Sequence, residues 1–450
     1  MVVAFLGWLF AGVHMSITQL AGQAAAIDLL NRTGDLDARR YLELNKLAQS
    51  KSALSDADRE QLDEWKPSVA RWFAWFQCSF LFGAASGGLL FGWLGDRIGR
   101  ARAMAASIAA YSLLAAAASL AQSPLQLCAL WFLACTGVGG MWPNGVALVS
   151  EAWSGMSRPM VAGVIGVAAN IGIFLFATLT AFVAIRFDDW RWAMLIGAGP
   201  IVLGVAAWLL VPESPRWLQT QHPAAPPKPE SSTAITAQEP RLVPEPAPAR
   251  VGRENAMRRS LLGVTLIAIV LATIPMIGGW GTANWMNPWA EEVGGAELKA
   301  YVLQTRSLTG IIGSLLGGWI ANAMGRRLSY FLVSLLSLAF AQYIFLFLTP
   351  TDDSFLYWVA ALGFVSGVYF GWLPLCLPEL FPTHYRATGA GIGFNFGRIV
   401  TAITIFIGGA LMQFFEGRYD RVGQWTSLLF VLGMIFIWFA PDTSKNQLED

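Results

Sequence analysis

The strongest constraint on this chain is the recurrence of long apolar stretches along it. A helix needs about 20 apolar residues to cross a bilayer, and stretches of roughly 17 to 30 mostly apolar residues recur about twelve times. With 55% hydrophobic and 13% charged residues, the chain carries more apolar surface than one soluble core can hide. We therefore predict an all-α membrane protein with about twelve transmembrane helices. The predicted spans lie near residues 3–29, 70–94, 103–122, 126–149, 160–185, 192–211, 260–289, 302–323, 328–348, 355–377, 388–413 and 424–440.

The arginines between spans predict the orientation of the chain. They occupy alternate loops, at Arg97, Arg100, Arg102, Arg158, residues 250–259, Arg326, Arg327 and Arg386. By the positive-inside rule these loops and both termini face the cytoplasm, in a multi-pass protein of the cell (plasma or inner) membrane. The first apolar stretch is interpreted as a span because it is too long for a signal peptide, although Ala24-Ala25-Ala26 imitates a cleavage site.

Two long segments divide the chain. Residues 31–69 carry charge of both signs and predict an extracytoplasmic insertion with a short helix from Ala53 to Trp65. Residues 219–258 contain eight prolines between Pro223 and Pro248 and predict a disordered or polyproline-like cytoplasmic linker. The predicted domains are therefore a six-helix half at 1–218, the linker at 219–258, and a second six-helix half at 259–450.

An internal repeat relates the two halves. Displacing the chain by 226 residues places Gly92, Trp93, Gly99 and Arg100 on Gly318, Trp319, Gly325 and Arg326, with Asp96 on Asn322. A displacement of 228 residues places Glu151 on Glu379, Arg158 on Arg386 and Gly163 on Gly391. Repeated halves of this kind are typical of transporters that alternate access to a site near the bilayer midplane.

Composition and missing motifs exclude several other classes. The net charge is only +1, and no basic block is interleaved with aromatics, so we predict no nucleic-acid partner. The chain has no nucleotide-binding loop, metal-ligand spacing or nucleophile elbow, which predicts no cofactor, no metal and no enzymatic activity. The predicted partners are a small-molecule substrate and the lipid bilayer, and the predicted state is a monomer.

Several motifs resemble the major facilitator superfamily of transporters. GWLGDRIGRAR (92–102) resembles its signature between spans 2 and 3, and GWIANAMGRR (318–327) resembles the second copy. PESPRW (212–217) and PELFPTHYRATGAG (378–391) resemble the sugar-porter-like branch. Within that branch, GVGGMWPNGVALVSEAW (137–153) and GFNFGRI (393–399) are most similar to metabolite:proton symporters, including sialic acid and lactate-type monocarboxylate permeases. The resemblance implies the major facilitator fold, with twelve helices in two pseudo-symmetric halves.

The resemblance also implies that charged residues at the loop ends control the change between conformations. These implied gating residues are Asp96, Arg97, Gly99, Arg100, Glu151, Arg158, Glu213, Arg216, Arg326, Glu379 and Arg386. In the second copy Asn322 stands where the first has Asp96, so we expect a weaker ion-pair cluster there. The alternative is that these charges only set topology or lie solvated at the surface, where ion pairs contribute about 0 to 1 kcal/mol.

Arg398 is the leading candidate for binding substrate. It follows Arg386 by twelve residues, which places it about 18 Å into the membrane at the helical rise per residue. An arginine at that depth costs about 2.5 to 3.5 kcal/mol, and its planar guanidinium suits a carboxylate. The repeat aligns it with Asn170. The alternative is a structural arginine paired with helix carbonyls or an acid.

His14 lies within span 1 and is the candidate proton carrier, because its ordinary pKa suits reversible protonation. The alternative is a hydrogen-bonded packing residue. The symporters that the chain resembles carry acids in span 1 and a glutamate in span 4, where this chain has Ala11, His14 and Met141. Proton coupling is therefore open from the sequence.

Amide and aromatic side chains are the candidate walls of the substrate cavity. Gly278 to Trp289 of span 7, with several glycines and Pro288, predict a broken or kinked helix. The candidate wall residues are Asn284, Asn287, Trp142, Asn144, Tyr369, Trp372 and Asn395, alongside Arg398 and Asn170. The function expected from the whole pattern is proton-coupled transport of a carboxylated metabolite. A carrier of a neutral sugar or polyol and a non-transporting membrane sensor are the alternatives.

Overall fold

The structure is a computed structural model that describes residues 1–49, 54–152, 158–214, 217–218, 247–278, 283–381 and 386–442. Helices of the amino-terminal half are α1 (Val2–Thr33), α2 (Ala38–Gln49), α3 (Asp56–Ile98), α4 (Arg100–Ala118), α5 (Pro124–Ala152), α6 (Arg158–Phe182), α7 (Arg191–Ala198) and α8 (Ile201–Leu210). Those of the carboxy-terminal half are α9 (Ala247–Met276), α10 (Ala283–Met324), α11 (Arg326–Phe347), α12 (Phe355–Glu379), α13 (Arg386–Phe414), α14 (Tyr419–Ser427) and α15 (Leu429–Phe436).

The helices have the length and hydropathy of membrane spans. Within the described residues nine helical segments qualify, and three shorter apolar helices lie at Val167–Phe182, Leu261–Met276 and Gly391–Ile407. Pro200 interrupts the sixth span between α7 and α8, and Gly295, at φ 75°, separates two segments of α10. Large apolar side chains such as Leu209, Leu210 and Phe347 are exposed on the outer surface, as lipid contact requires. The protein is thus an all-α membrane protein.

The insertion differs from its prediction. The expected short helix from Ala53 to Trp65 is part of α3, which begins at Asp56 and continues without a break into the second span. The Ser55 hydroxyl accepts a hydrogen bond from the Asp58 amide at 3.2 Å and caps this helix. Pro67 is accommodated inside it. The separate helix α2 supplies the rest of the described insertion.

Helix α9 begins within the segment that the sequence assigns to the linker. It starts at Ala247, where the last linker proline, Pro248, falls in the first turn, a position at which proline's missing N–H costs nothing. Residues 219–246 lie outside the described part of the chain. Of the segment expected to be broken or kinked, Gly278 to Trp289, residues 279–282 also lie outside it, and residues 283–289 form the start of α10 with Pro288 inside the helix.

Glycine packing shows the repeat in three dimensions. Helix α3 packs closely on α5, and α10 packs in the same way on α12, because a glycine of one helix sits against a carbonyl oxygen of the other. The same positions make these contacts in each half under the displacements of 226 and 228 residues. The pairs are Gly87 on Thr136 and Gly139 on Ala84 in the first half, and Gly313 on Phe364 and Gly367 on Gly310 in the second.

The two halves meet along two seams. In the first, α3 lies against α13, and the Cys78 thiol donates to the carbonyl of Ala402 at 3.3 Å. In the second, α6 lies against α10, and the Gln304 amide donates to Thr178 Oγ1 at 2.8 Å. We call the end of the molecule that carries α2 the insertion end. The opposite end, with the α3–α4 and α10–α11 turns, is the motif end.

Candidate functional site

Arg398 lies in the first seam. Its Nη1 donates to the main-chain carbonyl of Ala84, on the opposite half, at 3.2 Å and to Asn395 Oδ1 at 3.3 Å. The guanidinium carbon lies 4.8 Å from the centre of the Phe394 ring, and the residue is only 5% exposed. Among the described residues no carboxylate forms an ion pair with it. The seam therefore contains a buried guanidinium group whose described hydrogen bonds both come from Nη1.

Asn170 occupies the equivalent position in the other seam. Its amide donates to Ser314 Oγ at 3.4 Å, between α6 and α10. Because the repeat carries one seam onto the other, equivalence in the repeat does not bring Asn170 and Arg398 together. The two side chains lie at corresponding levels along the helix axes, one in each seam.

A second cationic group near the centre was missed by the sequence analysis. Arg306 of α10 donates from Nη2 to Gln19 Oε1 of α1 at 3.5 Å, and Asn287 donates to the same oxygen at 3.1 Å. Lys299 donates to the Leu20 carbonyl at 3.3 Å and to Glu291 at 2.7 Å, and Gln77 donates to the Thr18 carbonyl at 3.2 Å. We call Gln19, Gln77, Asn287, Lys299 and Arg306 the central polar cluster. Asn287, Lys299 and Arg306 reach Gln19 and Leu20 of α1 from the carboxy-terminal half and so join the two halves, while Gln77 contacts Thr18 within the amino-terminal half.

Two cavities lead from the insertion end toward this cluster. The larger, of about 330 Å³, is lined by α2 and by both halves, including Glu291 and Glu292. The smaller, of about 30 Å³, reaches Gln77 and has room for little more than a water molecule. The residues common to both linings are Gln23, Tyr41, Lys66, Pro288 and Tyr419. Lys66, which lines both cavities, forms an ion pair at 2.7 Å with Glu292 of the other half, which lines the larger one.

His14 lies inside the amino-terminal half rather than on a cavity wall. Its Nε2 is 3.0 Å from the Gly197 carbonyl, and its ring packs on Tyr111 and Trp131 at centroid distances of 4.9 and 5.5 Å. The side chain is fully buried, and Nδ1 has no partner among the described residues. The proton-carrier role stays a prediction, and the geometry favours the packing interpretation.

The variant His14→Gln is expected to keep the pH dependence of uptake and to unfold at a lower temperature. The reason is that the substitution removes a ring packed between three helices and disturbs a buried hydrogen bond, a loss of about 1 to 3 kcal/mol. The measurement is the thermal midpoint of the purified protein together with accumulation at several pH gradients. Loss of gradient-driven accumulation with intact counterflow would instead make His14 the carrier.

Several expected cavity residues lie within one half. The Tyr369 hydroxyl is 2.7 Å from Ser334 Oγ, and Trp372 Nε1 donates to the Arg326 carbonyl at 3.0 Å, both in the carboxy-terminal core. Asn144 donates to the Phe91 carbonyl at 2.8 Å near the motif end, and Trp142 packs on Trp8. Since these helices are apolar on every side, periodicity did not reveal which face is turned inward. Of the predicted walls, Asn287 belongs to the central polar cluster, and Asn395 lies beside Arg398 in the first seam.

The α3–α4 turn brings its predicted charges together. Asp96 forms an ion pair with Arg100, and Arg97 lies 4.2 Å from the centre of the Trp93 ring. Glu213, beyond the sixth span, accepts from the Ala101 amide at 3.0 Å and so caps α4. Gly99 has φ 107°, and a Cβ there would collide with the Glu213 carboxylate, so only glycine fits this turn.

The α10–α11 turn holds a bidentate ion pair that the alignment of the repeat did not predict. Arg326 makes two hydrogen bonds to Glu379, from Nε at 3.0 Å and from Nη2 at 3.1 Å, with side-chain exposures of 13% and 8%. It also donates to Asn322 Oδ1 at 2.6 Å. The expectation of a weaker second cluster stays a prediction, although Glu379 of α12 supplies the acid that position 322 lacks.

The remaining predicted site residues cannot be placed. The side chains of Asn284, Glu151, Arg158 and Arg386, and the whole of Arg216, lie outside the described part of the chain.

Comparison with known proteins gives consistent matches over most of the chain. Residues 63–405 match the sequence profile of the Major Facilitator Superfamily. A cis,cis-muconate transport protein from Acinetobacter baylyi is 28% identical over 326 residues, covering 72% of this chain and 74% of the relative. A gallate transporter from Pseudomonas putida is 27% identical over 352 residues, covering 74% and 75%. The crystal structure of a D-xylose–proton symporter superimposes with a TM-score of 0.65 at 15% identity over 99% of both chains, a likeness of fold alone.

Proposed function

This chain belongs to the Major Facilitator Superfamily and is a transport protein rather than an enzyme, and on that premise we propose that it carries a small organic anion by alternating access. The observation that supports an anion is Arg398, a cation 5% exposed inside the bundle whose described acceptors are a carbonyl and an amide oxygen. Burying such a cation inside the membrane costs free energy, which binding of an anionic ligand would offset. The two oxygens of a carboxylate match the paired N–H donors of the guanidinium group.

The relatives support the same chemistry. Muconate and gallate, the molecules in the names of two relatives, are both carboxylates. Arg306 adds a second guanidinium, and it lies on α10 eight residues nearer the insertion end than Ser314, the partner of Asn170. At the helical rise this separates the levels of Arg306 and Arg398 by about 12 Å, because Asn170 and Arg398 share one height in the repeat. An anion passing through the protein would meet both.

We also propose proton symport, the mode of the symporters that the chain resembles, in a monomer of the inner membrane. In this proposal the motif end and both termini face the cytoplasm, following the arginine distribution. The Asp96 and Arg326 turns serve as gates at the motif end, and the Lys66–Glu292 ion pair serves at the insertion end. The two halves of residues 1–218 and 259–450 move against each other around the two seams.

A neutral polyol is the second candidate substrate. It is favoured by the three amide side chains of the central polar cluster, Gln19, Gln77 and Asn287, since amides suit hydroxyl groups. Arg398, which is 5% exposed, and the partly buried Arg306 favour the anion, because guanidinium groups removed from water would bring no benefit to a neutral ligand.

The test is uptake by liposomes that contain the purified full chain. We expect labelled benzoate or muconate to accumulate above equilibrium when an inward proton gradient is imposed, and xylose not to accumulate. Carboxylate equilibration without accumulation would leave an anion facilitator and remove the coupling. Xylose accumulation with no carboxylate uptake would overturn the anion, and ligand binding without any uptake would leave a sensor.

A further inference from the structure

Lys299 is a buried cation whose charge is balanced by a carboxylate in the wall of a cavity. Its Nζ donates to Glu291 Oε2 at 2.7 Å and to the main-chain carbonyl of Leu20, in the other half, at 3.3 Å. The lysine side chain is 3% exposed, whereas that of Glu291 is 28% exposed. A carbonyl carries no net charge, so Glu291 is the described group that neutralises Lys299. Because an unpaired charge is costly to bury, Lys299 requires an anion at this position whenever the two halves are closed.

Glu291 is the member of this pair that meets water. It lines the cavity of about 330 Å³ at the insertion end, a volume sufficient for water and for a small organic anion. Lys299 is only 2% exposed and lies where α10 contacts α1. A proton that enters from the insertion end therefore reaches the carboxylate. An anion that enters by the same route can approach the ammonium group once the carboxylate is neutral.

Other charged or titratable side chains line the same cavity. They are Tyr41 and Lys46 of α2, Lys66 of α3, Arg186 after α6, Glu292 of α10 and Tyr419 of α14. Glu292 pairs with Lys66, whose side chain is 32% exposed, so water can solvate that lysine when Glu292 is neutral. Burial, and then the charges of Glu291 and Glu292, raise the pKa of Tyr41, which keeps its hydroxyl protonated. Of these groups, Glu291 is the one whose protonation leaves a buried cation in need of another anion.

The Glu291–Lys299 ion pair also spans the kink in α10. Gly295, at φ 75°, lies four residues from each partner, so the pair connects the two helical segments on either side of the kink. The segment before the kink also carries Glu292, the partner of Lys66 in the amino-terminal half. Neutralising Glu291 therefore removes a contact that holds this segment in place, so protonation and opening of the insertion end are linked.

We propose that Glu291 carries the proton of the symport and that the substrate carboxylate replaces it as the partner of Lys299. A proton from the insertion end binds a Glu291 oxygen, the substrate carboxylate then accepts the hydrogen bond from Lys299, and the ammonium group keeps its charge throughout. When the substrate leaves toward the motif end, Glu291 releases its proton to water on that route and pairs with Lys299 again. One proton thus accompanies each substrate molecule. This inference rests on the proposed proton-coupled anion transport and assigns its coupling residue.

The experiment measures labelled muconate in liposomes that contain the purified full chain, because a dianion crosses lipid poorly by itself. With an inward proton gradient the wild type should accumulate muconate, and its initial rate should rise as the external pH falls, since protonation of Glu291 frees Lys299. Glu291→Gln resembles the protonated residue, so it should exchange labelled for unlabelled muconate but accumulate none. Its rate should change less than about twofold between about pH 6 and about pH 8. Glu291→Asp keeps a titratable carboxylate and should still accumulate muconate.

Two further variants distinguish coupling from a structural role. Glu291→Gln combined with Lys299→Gln leaves no buried charge unpaired, so it should recover the thermal midpoint of the wild type but still not accumulate muconate. Glu297→Gln changes an exposed glutamate of the same helix, hydrogen-bonded to Tyr301, and should accumulate muconate normally.

The outcomes separate this inference from the proposed function. Gradient-driven accumulation in Glu291→Gln, or normal accumulation in the double variant, would overturn the assignment of Glu291 alone. Equilibration of muconate without accumulation in the wild type would remove the symport and this inference with it, leaving anion transport. Failure of the wild type to take up any carboxylate would overturn the proposed function itself.

Discussion

The variant Arg398→Gln is expected to lose carboxylate uptake by about 100-fold or more without becoming less stable. Two charge-assisted hydrogen bonds to the substrate, each contributing about 1.5 to 3 kcal/mol, account for the loss of transport. Stability should hold or rise, because an arginine inside a membrane span costs about 2.5 to 3.5 kcal/mol and no described carboxylate offsets that cost. Initial rates of uptake in liposomes and the thermal midpoint of the purified variant measure the two effects.

Two further variants control this experiment. Arg398→Lys keeps the charge but loses the planar pair of donors, so its uptake should fall between those of the wild type and Arg398→Gln. Arg421→Gln changes an exposed arginine bonded to Gln424 and should transport normally. If Arg398→Gln unfolds at a much lower temperature, or transports at the normal rate, Arg398 is a structural residue and the anion site lies elsewhere.

The variant Glu379→Gln is expected to lower the free energy of unfolding by about 3 to 5 kcal/mol. It leaves the Arg326 guanidinium, 13% exposed, without the carboxylate that now makes two hydrogen bonds to it. The measurement is the thermal or denaturant midpoint in one detergent. Asp96→Asn is the matched control in the other half, where the Asp96 side chain is 67% exposed and its ion pair should contribute less than about 1 kcal/mol.

A paired substitution separates charge from packing at this turn. Arg326→Met combined with Glu379→Leu leaves no buried charge unpaired, so most of the stability lost in Glu379→Gln should return. Equal losses in Glu379→Gln and Asp96→Asn would contradict the difference between the two turns. A double variant as unstable as Glu379→Gln would show that side-chain shape, rather than charge, dominates there.

The sequence predicted the membrane helices and the repeat because both depend on one-dimensional information. Length and hydropathy determine which stretches can span the membrane, and the depth of Arg398, counted from Arg386, stays a prediction. The equivalent packing of Gly87 and Gly313 follows from the same displacement that aligned the signature loops. The fold class could therefore be predicted from the sequence alone.

The position of Arg306 was obscured by the uncertain start of its span. Counted from the predicted start of the span at residue 302, Arg306 falls in the first turn of the helix, where an arginine does not indicate a functional site. In the structure the helix turns at Gly295, eleven residues earlier, so Arg306 lies about 16 Å into the span. The rule that singled out Arg398 would have singled out Arg306 as well, given the right boundary.

The rotation of each helix about its own axis was the second feature that the sequence could not predict. Tyr369 and Trp372 are the type of residue that lines cavities, yet they face the core of their own half. Gln19 and Gln77 lie on helices whose other faces are also apolar, so no polar stripe distinguishes the inward side. Rotation depends on contacts between distant segments, such as those of Gln77 with Thr18 and of Asn287 with Gln19, that no local pattern contains.

Helix α3 gives the molecule a mechanical lever. Its 43 residues form one rod about 65 Å long, which carries Lys66 about 15 Å from one end, Gln77 and Ala84 near its middle, and Asp96 at the other end. A tilt on the order of 10° about the middle would move Asp96 by about 5 Å and Lys66 by about 3 Å in opposite directions. A single tilt of α3 would then break the Lys66–Glu292 ion pair on one side of the membrane and move the signature turn on the other side toward the opposite half. The seam at Arg398 lies near the axis of this tilt.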